Sequence, residues 1–311
     1  MKHSVKLCHS ATHSGGKGTF IACLCFFLIG CAKPPNQQTE RSAYYWSTTF
    51  EVDTSFLNRQ HIGRLYVRYF DVVWSSAGQP LPNATITFRS PQPKGVEIVP
   101  TIFIVNGVMR HDVRLLADKI VTRVLQMNET NAITGVREIQ IDCDWTTSTR
   151  TRYNAFMKEL QGILQNKGLQ LSTTIRLHQL AQTPPPANRG VLMLYNTGDF
   201  ANLNNTDPIL DFRDVKPYLK YLDSYKLPLS AAYPAFSYRL LFRHGKFVGL
   251  LHCDDELPVL PTDTIVTRTS NMEQIKQTLH AIDAIRPDLH HEIVVFDLRK
   301  NSKSYEEIYH R

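Results

Sequence analysis

Residues Val136–Trp145, VREIQIDCDW, carry the alternation from which the fold of this 311-residue chain is predicted. Polar side chains stand at every second position of the run, at Gln140, Asp142 and Asp144, and the residues between them are apolar. Because successive side chains of a strand point to opposite faces, the run is predicted to be a strand with one polar and one apolar face. We expect the apolar face to pack against helices and the polar face to point into a barrel.

Similar runs occur on both sides of this one, separated by helical patterns. The other predicted strands are Ala43–Phe50, Arg64–Trp74, Val96–Val105, Leu169–Leu177, Gly190–Asn196, Leu227–Ala235 and Glu292–Leu298. Between strands, apolar residues recur three or four positions apart, as in Val113, Leu116 and Ile120. Eight strands alternating with helices predict an α/β fold with a parallel sheet, and the count favours a closed (β/α)8 TIM barrel. The segment Phe236–His252 is predicted to be a β-hairpin insertion after strand seven.

The first 30 residues are predicted to be a lipoprotein signal peptide. Three lysines precede the apolar run Thr19–Gly30, TFIACLCFFLIG. Twelve residues are too few to span a bilayer, which needs about 20, but they suit the apolar part of a signal peptide. The run ends in Leu28-Ile29-Gly30-Cys31, which resembles the lipobox of bacterial lipoproteins. The resemblance implies diacylglycerol on Cys31 and cleavage before it, and the alternative is an ordinary secretory signal with a chance cysteine.

The residues after the signal divide into a tether and a folded domain. Residues 31–41 contain two adjacent prolines and no apolar run, so they are predicted to be a flexible spacer. Residues 42–311 are predicted to be the barrel domain. A lipid on Cys31 would hold the protein to a membrane. Ala32 follows the cysteine where some bacteria have an Asp linked with inner-membrane retention, so the resemblance to lipoproteins implies the cell envelope, at the outer membrane, with the face unassigned.

Charge and cysteine content exclude several classes of function. The formal net charge is +7, and removal of the leader, with its three lysines and no acid, leaves +4. This charge is mild and evenly spread, so no nucleic-acid partner is predicted. No glycine-rich turn follows the first strand, and no zinc or EF-hand spacing is present, so no cofactor or metal is predicted. Cys143 and Cys253 could pair in an oxidising periplasm or remain separate buried thiols.

The active site of such a barrel is expected at the carboxyl ends of the strands. There, Asp142 and Asp144 would be costly inside the barrel unless they are hydrated, paired or functional. Like charges at this distance should raise one pKa, as a general acid requires. Arg176 of strand five could neutralise an aspartate or bind an anionic group of a substrate. The alternative is an Arg–Asp pair that only fills a polar barrel.

Other residues at predicted strand ends are candidates for substrate binding. Strand two offers either Arg68 or the Tyr69/Asp71 pair, depending on its register, and strand six ends near Tyr195 with Asp199 just beyond. Sugar rings stack on flat aromatic side chains, and the candidates of this kind are Trp46, Trp145 and Tyr233. For each of these aromatics, plain core packing is the alternative.

The run Ile141–Trp145 resembles the end of the strand-four signature of chitinase-like retaining glycosidases, which use substrate assistance. That signature ends in Asp-x-Asp-x-Glu, with the Glu as acid. Asp142 and Asp144 match its last two aspartates, but Thr146 stands where the Glu would be and Ile139 where the first Asp would be. In such enzymes a tyrosine at the end of strand six can hold the substrate, a role that the resemblance implies for Tyr195.

Over most of its predicted mature length the chain also resembles a family of barrel lipoproteins from Bacteroidota. The stretches that carry this likeness are 44–50, 65–72, the strand-four run and 234–237. The resemblance implies a TIM barrel related to glycosidases, without implying an activity.

Together these observations predict a membrane-anchored, carbohydrate-active protein whose partner is a glycan. In the hydrolase hypothesis Asp144 is the general acid/base and Asp142 its electrostatic partner, while Tyr195 and Arg176 position the sugar. Thr146 at the expected acid position argues against hydrolysis. The alternatives are a non-catalytic glycan-binding lipoprotein and a structural envelope protein with a polar barrel interior.

Overall fold

The computed structural model describes residues 39–251, 258–298 and 304–309. Eight parallel strands, labelled β1–β8 in chain order, pair with their neighbours, and β1 pairs with both β8 and β2, so the sheet closes. The strands are β1 Glu40–Tyr45, β2 Arg64–Trp74, β3 Glu97–Ile104, β4 Glu138–Asp142, β5 Gln170–Arg176, β6 Arg189–Met193, β7 Leu229–Pro234 and β8 Glu292–Phe296. The predicted (β/α)8 TIM barrel is confirmed.

Helices follow most of the strands. They are α1 Thr54–Gln60, α2 Leu116–Thr130, α3 Arg150–Gln165, α4 Phe212–Leu222, α5 Met272–Asp283 and α6 Ser304–Tyr309. The connection from β2 to β3 instead contains the short strands Pro80–Asn83 and Thr87–Phe88, and the connection from β5 to β6 contains the 3₁₀ helix Leu177–Ala181. Aspartate or asparagine side chains cap the backbone N–H groups at the starts of α1, α4 and α5. Among the described residues, no helix is both long and apolar enough to cross a lipid bilayer.

The insertion after β7 is larger than the predicted hairpin. Ser237–Arg243 pairs with Lys246–Leu251, as expected, and on its other edge with Thr264–Thr269, so three antiparallel strands form. The third strand lies beyond residues 252–257, which fall outside the described part of the chain. Cys253 is one of these residues, whereas Cys143 is a buried free thiol.

Some predicted boundaries differ from the structure. The strand β1 begins at Glu40, so Glu40 and Arg41 belong to the barrel and not to the predicted tether of residues 31–41. Glu40 is held there because it pairs in register with Glu292 of β8 and forms an ion pair with Arg64 of β2. The predicted signal peptide, Cys31 and the rest of the tether lie outside the described residues.

The core lies mainly between the barrel and its helices. The outward residues Ile139 and Ile141 of β4 are buried with Tyr153 and Phe156 of α3 in one apolar cluster. A second, smaller cluster fills the barrel itself and includes Tyr44, Val99, Val191 and Val294. The predicted orientation of β4 is therefore correct, because its apolar face meets α3 and its polar face is enclosed by the barrel.

The end of the barrel at which the strands begin is filled by an ionic cluster, called here the base cluster. It consists of Arg64, Glu97, Glu138, Arg189 and Glu292, each of which is the first residue of a strand. Glu292 is fully buried and binds both arginines. Because this end is closed by side chains, a ligand site is left to the opposite end, where the strands finish.

Candidate active site

A cavity of about 480 Å³ opens at the carboxyl ends of β4, β5 and β6. This volume lies within the range of small-ligand pockets, roughly 300–1,000 Å³. The cavity is lined by Asp144, Thr146, Arg176, Leu177, His178, Met193, Tyr195, Asn196, Thr197, Asp214 and Tyr218. Three of the predicted site residues, Asp144, Arg176 and Tyr195, are thus brought together.

The inward side chains of β4 and β5 meet in successive pairs along the barrel. Deepest, the Gln140 amide nitrogen donates to the Ser172 hydroxyl at 3.4 Å. One step nearer the mouth, the Thr174 hydroxyl donates to Asp142 Oδ1 at 2.6 Å. At the mouth, Arg176 Nε donates to Asp144 Oδ1 at 2.5 Å. From the interior to the cavity, these pairs therefore change from amide with hydroxyl, through hydroxyl with carboxyl, to an ion pair.

The Arg176–Asp144 pair is partly open to solvent. The side chain of Asp144 is 48% exposed and that of Arg176 22% exposed. The guanidinium carbon of Arg176 also lies 5.8 Å from the ring centroid of Tyr195, which is within the range of a cation–π contact. The pair forms one wall of the cavity and leaves it open, so a ligand could compete with Asp144 for the guanidinium.

Asp142 lies behind this wall and is only 3% exposed. Burial raises the pKa of its carboxyl to about 6, since Arg176 only partly opposes the cost of burying the charge and Asp144 adds like-charge repulsion. The predicted upward shift therefore occurs on the deeper of the two aspartates, which does not line the cavity. Asp144, the residue predicted as acid, is the one that a ligand would touch.

A β-bulge decides which polar side chains of β2 point into the barrel. The pairing of β2 with β3 slips between Arg68 and Phe70, so Tyr69 is an extra residue. Tyr69 faces outward and its hydroxyl donates to Asn128 of α2 at 2.8 Å. As a result Arg68 and Asp71 share the inner side, where Arg68 Nε donates to Asp71 Oδ1 at 2.7 Å. The sequence had offered these two residues as alternatives, whereas the structure pairs them.

Aromatic rings connect β1, β6 and β8 at the mouth. The rings of Tyr195 and Phe296 stack with centroids 4.6 Å apart, and half-buried Trp46 lies 5.8 Å from Phe296. Arg68 lies over the Trp46 ring at 5.5 Å. The mouth therefore has an aromatic side and a charged side, an arrangement suited to a ligand with both apolar faces and hydroxyl groups.

Two predicted rim aromatics are not at the mouth, and this expectation was wrong. Trp145 is 1% exposed and stacks on Tyr153 of α3, because it has the same parity as Ile139 and Ile141 and lies with them on the outer, apolar face. Tyr233 is fully buried on the outer face, where its hydroxyl bonds to His290 Nε2 at 2.7 Å. Its neighbour Ala232 occupies the inner face.

Asp199 also lies away from the cavity. It is exposed in the loop after β6, where its Oδ1 accepts a hydrogen bond from the Ala201 backbone N–H at 2.8 Å. Within residues 39–251, 258–298 and 304–309, no group of three His, Cys, Asp or Glu side chains is arranged to hold a metal ion.

The sequence reasoning missed the contribution of α4. Asp214 and Tyr218, one turn apart on this helix, line the cavity with Thr197 of the preceding loop. Burial raises the pKa of Asp214, and the nearby charge of Asp211 adds to the rise. In a barrel of this class each helix that follows a strand begins near the mouth. That rule could have identified the acidic first turn of α4 as a candidate.

The chain resembles solved chitinase-like glycoside hydrolases, at low sequence identity. No family model matches the chain, and no curated protein matches its sequence. A chitinase from Chromobacterium violaceum ATCC 12472 is 14% identical, covering 87% of this chain and 98% of that one with a TM-score of 0.56. The spore cortex-lytic enzyme SleL from Bacillus megaterium QM B1551 is 12% identical, covering 88% and 74%, with a TM-score of 0.56. A chitinase from Bacteroides thetaiotaomicron is 10% identical, covering 87% and 94%, with a TM-score of 0.53. At these identities the likeness establishes a common barrel fold.

Proposed function

We propose that this protein is a lipid-anchored glycoside hydrolase that binds a sugar residue at the barrel mouth and uses Asp144 as a reacting carboxylate. One observation carries the proposal: Asp144 is a half-exposed carboxylate in the wall of the 480 Å³ cavity at the strand ends. Active sites of TIM barrels lie at this end. The fold that the chain has in common with chitinases supports a carbohydrate as the substrate class.

Each side of the mouth has a role in binding the sugar. Half-buried Trp46 supplies aromatic surface for the apolar C–H face of the ring, whereas Tyr195, only 3% exposed and stacked on Phe296, forms part of the cavity wall. Arg176 and Asn196 line the cavity and supply hydrogen-bond donors for hydroxyl or acetamido oxygens. Arg68, fixed by Asp71, supports the Trp46 ring from within the barrel.

Asp142 assists Asp144 without touching the sugar. Its pKa of about 6 means that its charge changes near neutral pH, a short distance behind the reacting carboxylate. When Asp142 is neutral it no longer repels a negative charge on Asp144. When it is ionised it competes with Asp144 for the Arg176 guanidinium, which interacts with both carboxylates.

The activities of the enzymes that have the same barrel fold suggest which glycans to test first. Two are chitinases and one is a spore cortex-lytic enzyme. N-acetylglucosamine, the sugar unit of chitin, is therefore the proposed recognition element. The mild net charge of the predicted mature chain leaves no reason to invoke a nucleic-acid partner.

From the sequence we also propose that the protein has a lipid anchor. We further propose that it belongs to the Bacteroidota barrel lipoproteins and that it lies at the outer membrane. From Cys31 to Glu40 the chain can extend by only about 30 Å at roughly 3.3–3.6 Å per residue. A lipid on Cys31 would therefore keep the barrel close to the membrane surface. Cys31→Ser should release the protein from the membrane fraction, and mass spectrometry of the wild-type amino terminus should detect the acyl chains. Unmodified Cys31 in membrane-free protein would contradict the anchor.

Non-catalytic glycan binding is the second candidate, and a specific observation favours it. Thr146 occupies the position at which the chitinase-like signature has its catalytic Glu. Its hydroxyl oxygen lies 3.0 Å from the hydroxyl oxygen of Ser148, within hydrogen-bond distance. Asp144, in turn, already has an ionic partner in Arg176. A protein that had lost its acid would retain the cavity and the aromatic side and would bind glycans without cleaving them.

One experiment separates the two candidates. The full-length protein in detergent is incubated with chitin oligosaccharides, peptidoglycan and mucin glycans, beside Asp144→Asn and the control Asp118→Asn. Asp118 lies on α2, exposed and outside the cavity. For a hydrolase, Asp144→Asn lowers kcat by about 100-fold or more, the size of a lost acid–base group, and Asp118→Asn does not. Binding without product in the wild-type protein would refute hydrolysis and support the second candidate.

A further inference from the structure

Strand β4 and the residues just after it, up to Thr146, supply no free proton donor at the cavity. Thr146 is a hydroxyl residue, Asp142 is buried behind the wall, and Asp144 is held by the permanent cation of Arg176. A carboxylate in such an ion pair is suited to accept a proton, whereas a leaving glycosidic oxygen must receive one. A donor is therefore expected elsewhere on the cavity wall.

Asp214 is the second carboxyl group that lines the same cavity. It lies in the first turn of α4 and is half-buried. Its neighbour Arg213 does not neutralise it, because that guanidinium is bound to Asp211 at 2.6–3.1 Å. Asp214 Oδ2 instead accepts a hydrogen bond from a hydroxyl, Thr197 Oγ1, at 3.3 Å.

The loop after β6 holds this carboxyl in place. Thr197 Oγ1 accepts the Asp211 backbone N–H at 3.1 Å, which leaves the hydroxyl hydrogen for Asp214. A side chain at Gly198 would meet Asn205 Nδ2 at 2.7 Å and Asp214 Oδ2 at 3.3 Å. The close approach of the Gly198 backbone thus packs the loop against the start of α4. Asp214 therefore has a built position on the wall and is not a loose surface acid.

We propose that Asp214 is the proton donor of the reaction and that Asp144 is the proton acceptor. This assignment rests on the proposed hydrolase function. The bond between the anomeric carbon and the glycosidic oxygen breaks, and its electron pair stays on that oxygen, which takes the proton of Asp214. Water supplies a hydroxyl group to the anomeric carbon, and its other proton passes to Asp144 and returns through solvent to Asp214.

The surroundings of Asp214 agree with this role. Burial raises its pKa and Asp211 adds to the rise, while the Thr197 hydroxyl and Arg213 act in the opposite direction. The other titratable and charged groups on the cavity wall are Asp144, Arg176, His178, Tyr195 and, on α4 itself, Tyr218. Two carboxyls in one cavity, one beside a cation and one beside a like charge, are the arrangement that divides acid from base.

The test compares two probes that differ in their need for an acid. Chitotetraose releases a sugar alkoxide, which must be protonated, whereas 2,4-dinitrophenyl N-acetylglucosaminide releases a stable phenolate. In Asp214→Asn, kcat for chitotetraose should fall by about 100-fold or more. The rate with the aryl glycoside should fall by less than about tenfold, and the alkaline limb of the kcat/KM profile should disappear. Asp118→Asn is again the control.

The outcomes distinguish this proposal from the one on which it rests. If the wild-type protein cleaves chitotetraose and Asp214→Asn retains its rate, the donor assignment is wrong and the hydrolase stands. Equal losses on both probes with an unchanged pH profile would give Asp214 a structural role and also overturn the assignment. If the wild-type protein binds both probes and cleaves neither, hydrolysis itself is refuted, and the donor assignment with it.

Discussion

At the base of the barrel Glu292 lies among two arginines and three hydroxyl groups, whereas at the mouth Asp142 has one hydroxyl and shares its nearest arginine with Asp144. Both carboxyls are buried, with exposures of 0% and 3%. Burial alone would raise both pKa values. At the base, Arg189 and Arg64 together with the hydroxyls of Ser42 and Ser230 lower the pKa of Glu292 to about 2. At the mouth, burial prevails and the pKa of Asp142 rises to about 6.

The difference shows that burial by itself does not decide what a buried acid does. The base cluster provides enough positive charge and enough hydrogen bonds to keep Glu292 ionised across the physiological range, so it serves as a fixed part of the fold. The mouth supplies too little of either for Asp142, so a proton there can come and go near neutral pH. The comparison therefore separates an end of the barrel that holds a fixed charge from an end at which a proton can exchange near neutral pH.

The largest expected effect is the loss of the charge on Glu292. Glu292→Gln leaves Arg64 and Arg189 buried without their shared anion, and breaking a buried pair in this way costs about 3–5 kcal/mol. The free energy of unfolding, measured by urea titration at pH 7, should fall by that amount.

The matched control makes the same chemical change at the other end. Asp144→Asn removes a half-exposed partner of Arg176 and should change the free energy of unfolding by about 1 kcal/mol or less. Equal losses in the two variants would mean that both ends stabilise the fold alike, and the contrast between them would be lost.

The second effect is a dependence of stability on pH that has opposite signs at the two ends. The folded pKa of Asp142, about 6, lies above the unfolded value of 3.8. The folded state therefore holds the proton more tightly, and the free energy of unfolding should fall by about 2 kcal/mol as the pH rises from 4 through 6. For Glu292 the folded pKa of about 2 lies below 4.5. Its contribution is present above pH 4.5 and is lost as the pH falls towards 2.

The contribution of the mouth can be isolated with Asp142→Asn, which is neutral at every pH. Unfolding of the variant and the wild-type protein is followed between pH 4 and pH 7.5. The wild-type protein should lose stability relative to the variant over this range, so that Asp142→Asn is the more stable of the two at pH 7. Parallel curves would show that Asp142 ionises as readily when folded as when unfolded, and the pKa assigned to the mouth would be wrong.

The sequence predicts the barrel because alternation is a local property. Every second residue of β4 faces inward whatever the rest of the chain does, so Gln140 and Asp142 could be assigned to the interior from the printed sequence alone. The same rule applied to β5 puts Thr174 and Arg176 on its inward face. The cross-strand pairs of Asp142 with Thr174 and of Asp144 with Arg176 follow from these two alternations in register.

The remaining assignments failed where parity was not applied or where the strand pairing slips. Trp145 was assigned by its position at a predicted strand end, although its parity with Ile139 and Ile141 puts it on the apolar face. In β2 the extra residue Tyr69 appears only when the strand is paired with β3, and it is what brings Arg68 and Asp71 to one side. Tyr233 was assigned by its position at a strand end and not by its parity with Ala232.

Asp214 was missed for a different reason. Its place in the cavity depends on how the loop of residues 197–210 folds back onto α4, and this loop is held by contacts such as the Thr197–Asp211 bond between residues far apart in sequence. No periodic pattern reports such contacts. A rule based on topology, that helix starts face the mouth, recovers the residue where periodicity does not.

The smallest expected effect compares one arginine from each end. Arg176→Met removes a partly exposed ion pair and should cost about 1 kcal/mol or less, because solvent screens and replaces such contacts. Arg189→Met at the base leaves Glu292 and Glu138 short of a cation and should cost several times more. Arg176 also lowers the pKa of Asp142. Its loss should therefore raise that pKa further and move the fall in stability to higher pH, as the same urea titrations between pH 4 and pH 7.5 would detect. A large loss of stability with an unchanged pH dependence would instead show that Arg176 stabilises the fold, as the arginines of the base cluster do.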